Sequence, residues 1–215
     1  MNDETLKSDV EYELEWDPKV DAAHIGVSAK DSAVTLTGYL PTYSEKYAAV
    51  RAAERIYGVK AVADEIEVRP SGSNAKDDPA ITEAILHVFR WHTRIPDTLQ
   101  AEVRDGRVTL RGDVEWPYQR LEAARAVRDI SGVKGVLNLI TVRPRAKPSD
   151  VEKRVTDALK RSADLDARSI WVATGNGTVH LHGQVHSFSE KWTAENAAAA
   201  APGVSEVDNQ ILVSP

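Results

Sequence analysis

Cysteine is absent from this 215-residue chain. No disulfide can brace it, no thiolate can act as a nucleophile, and no cysteine can hold a metal. Aromatic residues are sparse at 6%, with two Phe and five Trp. The longest mainly apolar stretch is the alanine-rich segment 196–201, far short of the roughly 20 residues that span a bilayer. No transmembrane segment is therefore expected. The opening residues Met1-Asn2-Asp3-Glu4-Thr5-Leu6-Lys7 lack the basic and apolar regions of a secretory leader. As written, the chain is expected in the cytoplasm; the alternative is the periplasm, after removal of a leader. Also missing are the phosphate-binding Gly-x-x-x-x-Gly-Lys loop, the dinucleotide fingerprint, the Gly-x-Ser-x-Gly elbow and the His-Glu-x-x-His zinc motif. Neither a catalytic set nor a cofactor is indicated, and the chain reads as non-enzymatic.

What remains is a globular composition, 42% hydrophobic and 28% charged, with a net charge of −6. The charge is uneven. Residues 1–70 carry 8 basic and 14 acidic side chains, a net of −6; residues 71–145 carry 12 and 10, a net of +2; residues 146–215 carry 7 and 9, a net of −2. Ten of the twelve basic residues in the middle third are Arg. A net of +2 is too small for a nucleic-acid partner, which calls for a basic balance across a domain, but it directs anionic surfaces to the middle third.

The chain repeats itself. Val34-Thr35-Leu36-Thr37-Gly38 returns as Val108-Thr109-Leu110-Arg111-Gly112 and as Val179-His180-Leu181-His182-Gly183, at intervals of 74 and 71 residues. Gly58-Val59-Lys60-Ala61-Val62 returns at the same intervals as Gly132-Val133-Lys134-Gly135-Val136 and Gly203-Val204-Ser205-Glu206-Val207. Two motifs keeping identical offsets define a tandem repeat. Pro/Gly/Ser-rich and Pro-flanked stretches divide it into modules at 1–70, 77–144 and 149–215, joined by linkers at 71–76 and 145–148.

Each copy opens with apolar residues four apart: Leu6, Val10 and Leu14; Ile81, Ile85 and Phe89; Val151, Val155 and Leu159. That is one stripe on one helix face. In the third copy Ser149 and Glu152 have capping-box spacing. Alternation follows in Ile25, Val27 and Ala29, then a turn (Lys30-Asp31-Ser32, Arg104-Asp105-Gly106 or Gly175-Asn176-Gly177), then alternation again, which predicts a hairpin. A second helix begins at the capping boxes Thr42/Glu45 and Ser187/Glu190, or at Pro117. Its core face is read as Tyr47, Val50, Ala53 and Ile56, and as Leu121, Ala124, Val127 and Ile130, with Trp192 as the core residue of the third copy. Gly58, Gly132 and Gly203 end it, where a left-handed cap favours Gly. A third strand follows, joined to the second by a strand–helix–strand crossover and so parallel to it. The expected fold is α+β: three tandem α-β-β-α-β modules, each a three-stranded mixed sheet with two helices on one face and the other face open.

The Val-x-Leu-x-Gly strand end and the Gly-Val-x-x-Val segment, each present three times, resemble the BON family, the bacterial osmotically inducible and nodulation domain. The resemblance covers nearly the whole chain. It implies non-enzymatic modules tied to osmotic stress, often in the periplasm or outer membrane, with phospholipid contact. It brings no catalytic residues.

Within this frame the candidate contact residues are Arg104, Arg107, Arg111, Trp116, Tyr118 and Arg120 of the second module, directed at an anionic phospholipid surface or a protein partner. An alternative is ion or metal sensing through His180, His182 and His186, because residues two apart on a strand share a face and imidazole suits zinc, copper or nickel. A further alternative is a structural scaffold with open sheet faces packed together. Gly38, Gly112 and Gly183, like the three helix-ending glycines, are read as structural. Trp16 and Trp91, near the end of the first helix, are expected to pack on the following loop, and Trp171 falls on the open side of its strand beside the His pair.

Overall fold

The computed structural model describes residues 2–72, 75–143, 151–161, 169–175, 177–201 and 203–214. In the first module α1 (Asp3–Trp16) leads through a single 3-10 turn (Ala22–His24) into the hairpin β1 (Ile25–Lys30) and β2 (Ala33–Leu40), and α2 (Tyr43–Arg55) carries the chain to β3 (Ala61–Val68). The second module runs α3 (Asp78–Trp91), β4 (Gln100–Arg104), β5 (Arg107–Val114), α4 (Pro117–Arg128) and β6 (Gly135–Val142). The third runs α5 (Val151–Arg161), β7 (Ile170–Gly175), β8 (Thr178–Val185), α6 (Phe188–Ala199) and β9 (Glu206–Val213). Each sheet places the hairpin's second strand in the middle, antiparallel to the first and parallel to the third. The α-β-β-α-β order and the mixed sheet read from the sequence are thus both present. Residues 144–150, which include Ser149 of the third capping box and the second linker, lie outside the described residues, as do Ser73 and Asn74 of the first linker and Asn176 of the third turn.

Local chemistry explains where the elements begin. Asn2 caps α1 by accepting from the Glu4 amide at 2.6 Å, and Asp77 caps α3 by accepting from the Ala80 amide at 3.1 Å. Thr42 and Ser187 accept from the Glu45 and Glu190 amides, each at 3.2 Å. At α4, where Trp116 has no oxygen to offer, Gln119 reaches back instead and its Oε1 accepts from the amides of Glu115 and Trp116, each at 3.0 Å.

Each module closes its own core. Leu6, Val10 and Leu14 of α1 meet Val34, Leu36 and Leu40 of β2; Ile81, Ile85 and Phe89 meet Val108, Leu110 and Val114; Val155 and Leu159 meet Val179, Leu181 and Val185. The second helix enters its core on part of the face expected: Val50, Ala53 and Ile56, and Ala124, Val127 and Ile130, pack there as read, whereas the largest side chains do not. Ala49, Ala52 and Ala53 are the buried residues of α2, Pro117, Ala123 and Val127 those of α4, and Ala194 and Ala198 those of α6. Tyr47 is 36% exposed and Leu121 51%, so neither lines its own core, and Trp192 packs outward against the first module. The bulkiest side chains of these helices turn away from the core, and the fully buried positions are mostly alanine.

Two further expectations are corrected. Trp16 and Trp91 do not bury against the following loop; they are 69% and 72% exposed and lean instead on ring neighbours one turn back, Tyr12 and His87, with centroids 5.8 and 6.0 Å apart. Among the described residues the open faces of the second and third sheets are not packed against one another either. Leu137, Leu139 and Trp171 on those faces are 56%, 46% and 66% exposed. The modules meet through their second helices, which present the larger apolar side chains.

The strand-end glycine is required by geometry. Gly38 has φ +113°, and a Cβ there would sit 1.9 Å from the His24 carbonyl oxygen; the equivalent Gly183 has φ +139° and would meet the Ser169 carbonyl oxygen at 2.0 Å. Gly112 (φ +126°), and the helix-ending Gly58 (+89°), Gly132 (+90°) and Gly203 (+95°), also have left-handed backbone. Gly38→Ala is expected to cost about 2 kcal/mol or more in urea unfolding. Gly175→Ala, where an added Cβ meets nothing within 4 Å, is expected to stay within about 0.5 kcal/mol.

Candidate functional site

The open face of the second sheet gathers three of the candidate residues. Val108 and Leu110 point into the core, so Arg107, Thr109 and Arg111 point out. Register places Arg104 opposite Arg107, Leu137 beside Thr109 and Leu139 beside Arg111. Arg111 is paired with Glu102 at 2.8 Å, and Asp113 with Arg143 at 3.0 Å. Arg104 and Arg107 have no carboxylate partner among the described residues. The result is a face with two unpaired guanidiniums at one end and two exposed leucines beside them. Sequence reading missed the leucines, although their alternation with Val136, Asn138 and Ile140 on β6 is the signal that places them outside.

Trp116, Tyr118 and Arg120 stand elsewhere. They open α4, past the far end of β5, and Arg107 to Val114 is seven residue steps, about 23 Å. The six candidates therefore form two groups. Trp116 is 39% and Tyr118 46% exposed, while Arg120 lines a cleft between the second and third modules.

The histidines also divide. His180 Nδ1 lies 2.9 Å from Asp208 Oδ2, and the His180 and His182 rings are stacked with centroids 6.5 Å apart. Hydrogen bonds from His180 and then Gln210 hold the Asp208 carboxyl below its ordinary pKa. His186 is directed to the first module, stacked on Tyr57 at 6.4 Å. No group of three or more metal-ligating side chains converges among the described residues.

The contacts between modules form a third feature, unanticipated from the sequence. Arg51 of α2 lies over the Trp192 ring of α6, 3.1 Å from its centroid, and Arg128 of α4 lies over the Tyr47 ring of α2 at 3.6 Å. Such cation–π contacts contribute about 0.5–2 kcal/mol, more as they are desolvated. Ser44 donates to Asp129 Oδ1 at 2.7 Å across the same first–second seam. Tyr43 packs on the core of the second module and Phe188 on that of the first. The first–second seam holds a cleft of about 460 Å³ bordered by Arg51, Arg55, Arg125 and Arg128. Arg55 is occupied by Glu13 and Asp17, at 2.9 and 3.0 Å.

Comparisons agree with this architecture. A family model described as the BON domain matches residues 2–70, 77–144 and 148–215. The fold is a tandem repeat of one α+β module, each with a three-stranded mixed sheet. The chain belongs to the BON domain family. It is 32% identical over 148 residues to osmotically-inducible protein Y of Escherichia coli (strain K12), covering 64% of this chain and 73% of that one. Among solved structures, CdsD of the Chlamydia trachomatis type III secretion system is similar at 16% identity with a TM-score of 0.27, covering 98% of this chain and 93% of that one. Its C-terminal domain is similar at 15% and 0.27, with full coverage of both chains. No helix among the described residues is long and apolar enough to cross a membrane.

Helix α2 also carries a strongly shifted titratable group. Glu54, 3.7 Å from Arg51, is pushed by burial up to about 7 from an ordinary 4.5, against the pull of Arg51. The folded state thus favours the protonated carboxyl. Its contribution to stability is fully present below about pH 4.5 and is lost as pH rises through about 7. The thermal midpoint is expected to fall between about pH 5 and pH 8, and Glu54→Gln should flatten that slope in calorimetry.

Proposed function

We propose that this chain is a non-enzymatic, osmotic-stress-linked binding protein that contacts anionic phospholipid surfaces through the open sheet face of its second module. The stress connection rests on the family and on the similarity to osmotically-inducible protein Y. The lipid reading is carried by one observation: Arg104 and Arg107, unpaired among the described residues, share a face with exposed Leu137 and Leu139. Guanidinium groups make delocalised, bidentate contacts with phosphate, and exposed leucines offer apolar area to the acyl boundary. The first module, with its net charge of −6, is repelled by the same surface, which keeps attachment weak and reversible. That repulsion is screened over about 8 Å at physiological salt.

The corresponding faces of the other modules lack this combination. The first presents Lys30, Thr35, Thr37, Ala63 and Glu65 there, the third Thr178, His180, His182, Asp208 and Gln210. Neither joins a pair of unpaired arginines to leucines. The cytoplasm and the periplasm both present anionic lipid, so this reading holds in either compartment.

Co-sedimentation of the full chain with vesicles tests it. Retention is expected on phosphatidylglycerol vesicles, falling as salt rises, with none on neutral phosphatidylcholine. Each basic residue near an anionic surface contributes about 1 kcal/mol, so Arg104→Ala with Arg107→Ala should weaken retention about thirtyfold. Leu137→Ser with Leu139→Ser should weaken it at all salt concentrations. Binding indifferent to lipid charge, or unchanged in both double variants, would overturn the proposal.

A further inference from the structure

The three modules touch in a cycle, and each seam can be compared with the other two by the repeat offsets of 74 and 71 residues. The first residue of the second helix is Tyr43, Pro117 or Phe188, and the residue one turn on is Tyr47, Leu121 or Trp192. From the first module, Tyr43 packs on the second module's core and Tyr47 lies under Arg128. From the third module, Phe188 packs on the first module's core and Trp192 lies under Arg51. Two seams are therefore built alike: an aromatic ring packs against the neighbour's core, and a second ring carries a guanidinium.

The remaining seam, from the second module to the third, is cut back at every one of these positions. Pro117 stands where the others have Tyr43 and Phe188, and Leu121 where they have Tyr47 and Trp192. On the receiving helix, Asn196 stands in place of Arg51 and Arg125, and Ala199 in place of Glu54 and Arg128. The structure has an open cleft of about 330 Å³ there, bounded by Pro117, Leu121, Asn196, Ala199 and Val207. Its lining is mixed, with Arg120, Glu195 and Glu206 beside these residues, and its volume exceeds the roughly 150 Å³ that holds benzene in a closed cavity.

A second groove, about 380 Å³, continues from it along β6 past Leu139, Ile140 and Thr141, sharing Arg120, Asn138, Val142, Ser205 and Glu206 with the first. β6 is an edge strand of its sheet. Edge strands accept an extended segment through main-chain hydrogen bonds, with pockets for its side chains supplying specificity.

We propose that the second–third seam is a binding site for an extended segment of a partner protein, which lies along β6 and places a Tyr or Phe ring in the cleft beside Pro117. The incoming ring takes the place that Tyr43 and Phe188 take at the other two seams. The identity of the occupant follows from those seams: this fold fills the position with an aromatic side chain wherever its own sequence supplies one. A segment, rather than a free aromatic molecule, follows from the continuity of the cleft with the groove along the strand edge. Of the arginine–leucine face only Leu139 borders this groove, while Arg104, Arg107 and Leu137 lie outside it, so either reading can fail alone.

The test uses the full chain, isotopically labelled, and three probes: a synthetic Ser-Thr-Tyr-Thr-Ser peptide with blocked ends, its Tyr-to-Ala twin, and p-cresol. The tyrosine peptide is expected to shift the amide resonances of Leu121, Leu139, Ala199 and Val207 and to bind about tenfold more tightly than the alanine twin. Pro117→Phe, which supplies the missing ring, should abolish the effect. Ala199→Arg, which restores the bulk found at Arg128, should do so without altering the start of α4. The proposal is overturned if the tyrosine peptide leaves these resonances unmoved, if the twins bind equally, or if both variants bind as the wild type does. Binding of p-cresol as tight as that of the peptide would also overturn it, in favour of a site for a free aromatic compound.

Discussion

A single spatial constraint governs this molecule: the second helix of each module lies between its own sheet and a neighbouring module. Toward the sheet its fully buried residues are mostly small, Ala49, Ala52 and Ala53, Ala123 and Val127, and Ala194 and Ala198, with Val50, Ile56 and Ile130 packed beside them. Toward the neighbour it carries what the interface needs. One helix thus serves a core and a seam, and substitutions on it divide by face. A larger residue at Ala53 would strain a core, whereas a change at Tyr47 or Trp192 alters how modules sit against one another.

Most of the fold was legible in the sequence because the first helix and the hairpin obey simple periodicities. Leu6, Val10 and Leu14, and Val34 and Leu36, are buried as their spacing indicates. The largest residues of the second helix were misread for a physical reason. Periodicity gives most weight to the largest apolar residues, and here the largest ones face a neighbour rather than the core. Trp192 is the clearest case: its partner, Arg51, lies 141 positions earlier in another copy, and no local pattern connects them. The repeat does hold a signal. Aligning Tyr43, Pro117 and Phe188 shows one position where two copies keep an aromatic and one does not.

The candidate contact residues were legible as residue types but not as places. Arg104, Arg107 and Arg111 share a face because strand parity puts them there, while Trp116, Tyr118 and Arg120 lie beyond the other end of the strand. The copies have also diverged in what they expose. The second module presents arginine and leucine on its open face, the third the His180–Asp208 pair, and the first acidic and small residues.

The claim on which the rest stands is that the modules are held against one another by their second helices, and the contact joining the most distant copies is Arg51 over Trp192. A double-mutant cycle with Arg51→Ala, Trp192→Ala and the pair, measured by urea unfolding of the full chain, addresses it directly. The account predicts a coupling energy of about 1–2 kcal/mol between the two sites. Effects that add to within about 0.3 kcal/mol would show that the first and third modules do not meet there, and would contradict it.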